Sequence, residues 1–111
     1  MNEKCNGRYI IVDGKITPEP DLIKWAMWYE KSENRHVKQD KIGDVIVSTI
    51  FLGLDHNLWG NHPILWETMI FGSKANRDFV RCGGNREQAE AMHASVVEKI
   101  RSAEKKVPNS L

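Results

Sequence analysis

The chain predicts an α+β domain: a three- or four-stranded antiparallel sheet with one helix before it and a longer C-terminal helix. Three observations carry this. Two runs rich in β-branched and aromatic residues, Asp44–Leu54 and Ile64–Gly72, have the composition of central strands. TPEPDLIKWAMWYEK, from Thr17, places apolar residues at helical spacing, and GGNREQAEAMHASVVEKIRSAEKK, from Gly83, does so over a greater length. Strands grouped between two helices, without strand and helix alternating, read as α+β.

The elements follow in order. RYIIVDGK (Arg8–Lys15) is β-branched and reaches the tight-turn pair Asp13-Gly14, which predicts a short first strand. Pro18 and Pro20 then suit the start of a helix, Asp21 suits its positive end, and Leu22, Trp25, Ala26 and Tyr29 form its stripe, with Trp28 off it. SENRHVKQDKIG (Ser32–Gly43) keeps no period and reads as a polar connector. RDFVRC (Arg77–Cys82) reads as an edge-type strand after the turn GSKAN. In the last helix Asn85 is the N-cap and Gln88 stands three residues on, a capping box, while Ala89, Met92, His93, Val96 and Ile100 line one face.

The two central runs are apolar on both sides. Val45, Val47, Thr49 and Phe51 alternate with Ile46, Ser48, Ile50 and Leu52; Trp66, Thr68 and Ile70 alternate with Leu65, Glu67, Met69 and Phe71. An antiparallel sheet with one wet face alternates apolar with polar, so both faces are expected to be covered. Two helices cover one face well. The other is expected to meet a second subunit or the long connector, and a symmetric dimer is favoured on that ground.

Composition bounds the rest. The 111 residues fit one domain, expected over 8–102 between a flexible leader (1–7) and a flexible tail (103–111). Sixteen basic and fifteen acidic residues give a net charge of +1, so no long-range field draws the chain to nucleic acid or an anionic membrane. No apolar run reaches the roughly 20 residues of a membrane span, and MNEKCNGRYI lacks the apolar core of a signal peptide. Cys5 and Cys82 show no pairing pattern, which fits a reducing compartment. A cytoplasmic protein without membrane or nucleic-acid partner is the expectation.

STIFLGLDHN (Ser48–Asn57), ETMIFG (Glu67–Gly72) and QAEAMHASVV (Gln88–Val97), preceded by Trp25, Trp28, Arg35 and Val37, resemble a group of small uncharacterised proteins of bacteriophage and prophage genomes. The resemblance covers most of residues 20–100. It implies a phage-type accessory protein in the host bacterial cytosol, a class that often binds a host enzyme or defence component. The matching positions that bear on a site are Asp55, His56, Glu67 and His93. Leu58-Trp59 and Cys82-Gly83-Gly84 depart from the usual pattern.

Pairing the central strands with Leu52 opposite Leu65 sets Glu67 opposite Ile50 as the only acid on an apolar face, where an ionised carboxylate is costly unless paired. A Glu67–His93 contact is expected to satisfy both groups. A sharper reading gathers Glu67, His93, Asp55 and His56, with His62 able to replace His56, as ligands for zinc or manganese or as the base and orienting acid of a hydrolase. Adjacency restrains it, since Asp55 and His56 point to opposite faces if the strand continues through them. An Asx-type turn for Asp55 and a solvated loop tip for His56 and His62 are the plain alternatives. Trp25 and Trp66 lie on apolar stripes and are expected in the core. Trp28 and Trp59, with Asp55, His56 and His62, are the candidate partner contacts, because exposed tryptophan is a frequent hot spot. Gly83 and Gly84 at a helix start, with Arg81 and Arg86 nearby, could cradle an anion, although the lysine and spaced glycines of nucleotide fingerprints are missing. No cofactor is implied. Three functions therefore stand: a non-catalytic binding module for a host protein, a small metal-dependent or acid/base hydrolase, and a nucleotide-binding sponge.

Overall fold

A computed structural model describes residues 7–56, 62–72 and 78–106, with the side chains of 104–106 left aside. The chain opens with a hairpin of β1 (Tyr9–Val12) and β2 (Lys15–Pro18). Asp13 and Gly14 take φ of 51° and 78°, the doubly left-handed turn that matches the twist of a two-residue hairpin. Pro18 thus ends a strand, where the sequence reading placed a helix start. Helix α1 (Leu22–Tyr29) begins four residues later, capped by the Asp21 carboxylate, which accepts the N–H groups of Ile23 and Lys24.

The segment read as a connector is structured. It forms the single turn α2 (Ser32–Arg35) and the strand β3 (His36–Ile42), which turns at Gly43-Asp44 into β4 (Val45–Phe51). Strand β5 (Ile64–Gly72), strand β6 (Asp78–Gly83) and helix α3 (Arg86–Lys106) complete the chain. The main sheet is an antiparallel meander in the order β3-β4-β5-β6, so β3 and β6 are its edges. The expected register holds: Ile50 pairs with Glu67, Ser48 with Met69, and the Leu52 amide donates to the Leu65 carbonyl. Helix α3 runs past the expected boundary at residue 102, and residues 1–6 and 107–111 of the leader and tail lie outside the described residues.

Packing follows the pleat. Val47, Thr49 and Phe51 of β4 and Trp66 and Thr68 of β5 face α3 and are fully or almost fully buried. Ala89 of α3 joins the cluster of Phe51, Trp66, Leu65, Val37 and Tyr9, whereas Val96 and Val97 close over Val47 and Ile42 further along. Phe51 meets Trp66 edge-on, and Trp28 meets Phe51 edge-on. The hairpin and α1 seal one end of this layer: Tyr9 N–H donates to the Gly53 carbonyl at 2.8 Å, and Trp25 Nε1 donates to the same oxygen at 3.1 Å.

The other sheet face differs from expectation. Among the described residues no helix packs across it. It is also less apolar than the central strands suggested, because the edges set Gln39, Lys41 and Arg81 beside Ile46, Ser48, Ile50, Glu67, Met69 and Phe71.

Candidate functional site

His93 sits under α3 at 1% exposure with both ring nitrogens engaged. Nε2 donates to Asp40 Oδ2 at 2.7 Å, and Nδ1 lies 2.6 Å from Thr49 Oγ1, which is itself hydrogen-bonded to Thr68 Oγ1 across the β4–β5 pair. The bond from His93 holds the Asp40 carboxyl below its ordinary range, with burial opposing. A hydroxyl, an imidazole and a carboxylate in series have the groups of a nucleophilic triad. Access decides against that use. Thr49 and Thr68 have 0% exposure, so no substrate atom reaches either hydroxyl. Only the Asp40 end borders solvent, in a cleft of about 280 Å³ shared with Lys38, Glu98 and Arg101. The series fastens α3 to β3, β4 and β5 by polar contacts inside an otherwise apolar layer.

Glu67 takes no part in it. Thr68 points toward α3, so Glu67 one residue earlier points away, and the expected Glu67–His93 contact is replaced by two separate pairs on opposite sheet faces. Arg81 Nε donates to Glu67 Oε2 at 2.8 Å, with the guanidinium 4.4 Å over the Phe79 ring. Sequence reading missed Asp40 and Thr49 as partners of His93, Thr68 as the partner of Thr49, and Arg81 as the partner of Glu67. Residues directly opposite in the sheet supply two of these contacts: Thr49 and Thr68 face each other, as do Glu67 and Arg81.

Asp55 closes the neck of the loop between β4 and β5. Its Oδ1 accepts the Ile64 N–H at 3.0 Å, its own N–H donates to the Gly7 carbonyl, and the His56 N–H donates to the Ile64 carbonyl. The role is that of a turn-holding aspartate, made across the loop instead of within it. His56 and His62 are exposed at that neck, while Trp59 lies outside the described residues. The four-residue cluster of Asp55, His56, Glu67 and His93 is therefore dispersed, and among the described residues no three His, Cys, Asp or Glu side chains gather as a metal set. Trp28 is half-buried against Phe51, which leaves it a packing residue more than a free anchor.

The turn into α3 is likewise committed to structure. Gly84 has φ of +85°, and a Cβ there would lie 1.6 Å from Gln88 Oε1. That space lets Gln88 accept the Asn85 N–H while Asn85 Oδ1 accepts the Gln88 N–H, the reciprocal box read from the sequence. Gly84 also offers its carbonyl to Trp66 Nε1 at 2.8 Å, and a Cβ on Gly83 would press on the Pro63 carbonyl. Arg86 pairs with Glu90, and Arg81 with Glu67. Both cations of the proposed anion cradle of Arg81, Gly83, Gly84 and Arg86 are thus paired with carboxylates, and the Asn85 and Gln88 N–H groups at the helix start are taken by the capping box. Burial pushes the neighbouring Cys82 thiol up, away from a reactive thiolate.

What remains unpartnered is apolar surface. Helix α1 has no buried residue; Trp25, Trp28 and Tyr29 turn inward, while Leu22, Ile23 and Met27 are 55%, 66% and 62% exposed. Leu22 and Ala26, expected on the inner stripe, lie on this outer side. On edge strand β6, Phe79 and Val80 are 47% and 42% exposed. A cleft of about 420 Å³ opens between the hairpin and the start of α3, with Ile11, Ile16 and Trp66 as walls and Lys15 and Arg86 among its lining. No helix is long and apolar enough to cross a membrane among the described residues. Comparison of the chain with protein families, with curated proteins and with solved structures found no match.

Proposed function

We propose that the protein is a non-catalytic binding module of the phage accessory type, working as a dimer and engaging a host protein. One observation carries the reading: α1 turns Trp25, Trp28 and Tyr29 toward the rest of the chain, yet apart from Lys24 its outer side is also apolar, with Leu22, Ile23 and Met27 more than half exposed. A surface helix normally sets polar residues on the side opposite its buried stripe. Leu22, Ile23 and Met27 stand on neighbouring positions of one turn and a half, and an exposed set of this kind is the usual mark of a helix that another protein covers. Partner contact is accordingly assigned to α1, with Met27 supplying an adaptable surface. The hydrolase alternative lacks a reachable nucleophile in the His93 series and loses the grouping of carboxylates and histidines on which it depended.

The test compares baits that fold alike. Ile23→Glu and Met27→Glu change exposed side chains, so melting temperatures should match the parent within the range of ordinary surface substitutions, about ±0.5 kcal/mol. Affinity capture from bacterial lysate should retain one protein in stoichiometric amount on the parent and lose it on either variant. Equal retention on all three baits would contradict the assignment to α1. A second reading, a small anionic ligand, is favoured by the cleft beside Gly84, whose lining includes Lys15; nucleotide-dependent rises in melting temperature that vanish in Lys15→Glu would establish it.

A further inference from the structure

We infer that two copies of the chain join along β6, antiparallel and centred on Val80, so that the four-stranded sheets continue into one of eight. The inference rests on the two-copy part of the function proposed above and adds the seam and its register. Strand β6 is the edge with exposed apolar residues on both faces, Phe79 on one and Val80 on the other. A bare edge with apolar flanks is a template for another strand. The opposite edge is blocked: β3 shows Lys38, Gln39 and Lys41 as exposed residues, the charged dress that discourages pairing.

Symmetry narrows the register. Antiparallel copies about a twofold axis through the sheet keep like faces continuous only when a residue, not a gap between residues, lies on the axis. Centring on Arg81 sets the two guanidinium groups against each other, which is repulsive. Centring on Phe79 sets the exposed Asp78 carboxylate opposite the apolar Val80 of the other copy at two equivalent places. Centring on Val80 overlaps residues 78–82, packs Val80 against its own copy, and sets Phe79 opposite the other copy's Arg81 at two equivalent places. Each Arg81 already lies flat over its own Phe79 at 4.4 Å and is neutralised by its own Glu67, so the seam extends an existing arrangement of rings and guanidinium groups without adding unpaired charge. Asp78 meets Cys82 on the other face, again without like charges in opposition. On that face α3 carries Val96 and Val97 toward Ile42 and Val47, away from β6, and Val80 stays open. Stacking the two sheets face to face is the competing dimer. It would shut both Glu67–Arg81 pairs into a dry interior, where the cost of desolvating four charges offsets the apolar gain.

Site-specific cross-linking reads the seam. In a chain with Cys5→Ser and Cys82→Ser, Val80→Cys should give a covalent dimer with a short bismaleimide, because opposed side chains on paired strands stand roughly 4.5–5.5 Å apart. Lys38→Cys, on the far edge, and Met69→Cys, on the open face, should stay single chains. Val80→Lys should halve the molar mass in solution while each chain stays folded by circular dichroism, since the residue is exposed within a single copy. A parent of single-chain mass, a dimer that Val80→Cys does not link, or efficient linkage at Met69→Cys each overturns the proposal. Capture of a partner through α1 by the Val80→Lys protein keeps the two readings separable.

Discussion

At the scale of residues, buried Glu67 and buried His93 are satisfied separately, on opposite faces of one sheet. Glu67 is 7% exposed, and Arg81 is what makes its charge tolerable there. Arg81→Ala should cost about 1–3 kcal/mol in urea unfolding, the usual cost of stranding a buried polar group, whereas Glu67→Leu with Arg81→Leu should cost less than Arg81→Ala alone. A double variant weaker than the single would contradict this. On the other face, Asp40 titrates below its ordinary value because protonation must break its bond from His93. A depressed carboxylate contributes stability that is complete above its unfolded value, about 3.9, and is lost as pH falls below it. The melting-temperature gap between the parent and Asp40→Asn should therefore be steady near neutral pH and close as pH drops through about 4 and lower. The placement of Glu67 opposite Ile50 was legible because a period-2 pattern fixes which residues can oppose. Its partner was not, since Arg81 belongs to a third strand whose register no local pattern sets.

Elements were legible where their signals are local. The capping box at Asn85 and Gln88 and the Asp13-Gly14 turn depend on neighbours within three residues, and both formed as read. Strand β3 was not legible, for a physical reason. An irregularity between His36 and Lys38 shifts its pairing, so buried Val37 and buried Ile42 stand five apart and no alternation survives between them. The dipeptide Gly43-Asp44, with Gly43 at φ of 60°, was the one available hint of the hairpin. Helix α1 misled in the opposite sense: its apolar residues fit a stripe at several phases, and the aromatic rings, not Leu22 and Ala26, won the inner side. For the start of α3, Gly84→Ala and Gly14→Ala give a paired prediction. Both glycines have positive φ and should lose about 1 kcal/mol from that alone, but a Cβ at position 14 meets nothing within 4 Å, whereas one at position 84 displaces Gln88. Gly84→Ala should lose about a further 1 kcal/mol with the cap. Equal losses from the two would show that Gln88 does not hold the helix start.

At the scale of the molecule, one layer of helix lies on one face of a four-stranded sheet, as the grouping of strands between helices implied. The expectation of a second apolar face came from β4 and β5, which carry the β-branched runs. Gln39, Lys41 and Arg81 on β3 and β6 moderate that face once all four strands are side by side. The argument for a second copy consequently moves from the face to the β6 edge, and the argument for a foreign partner moves to α1. Both surfaces expose apolar side chains that no other element covers among the described residues, and neither requires a reaction. The most direct measurement is the molar mass of the purified protein by light scattering across a range of concentrations. Two 12.8 kDa chains per particle is the predicted result, and a single 12.8 kDa chain at every concentration would contradict the account.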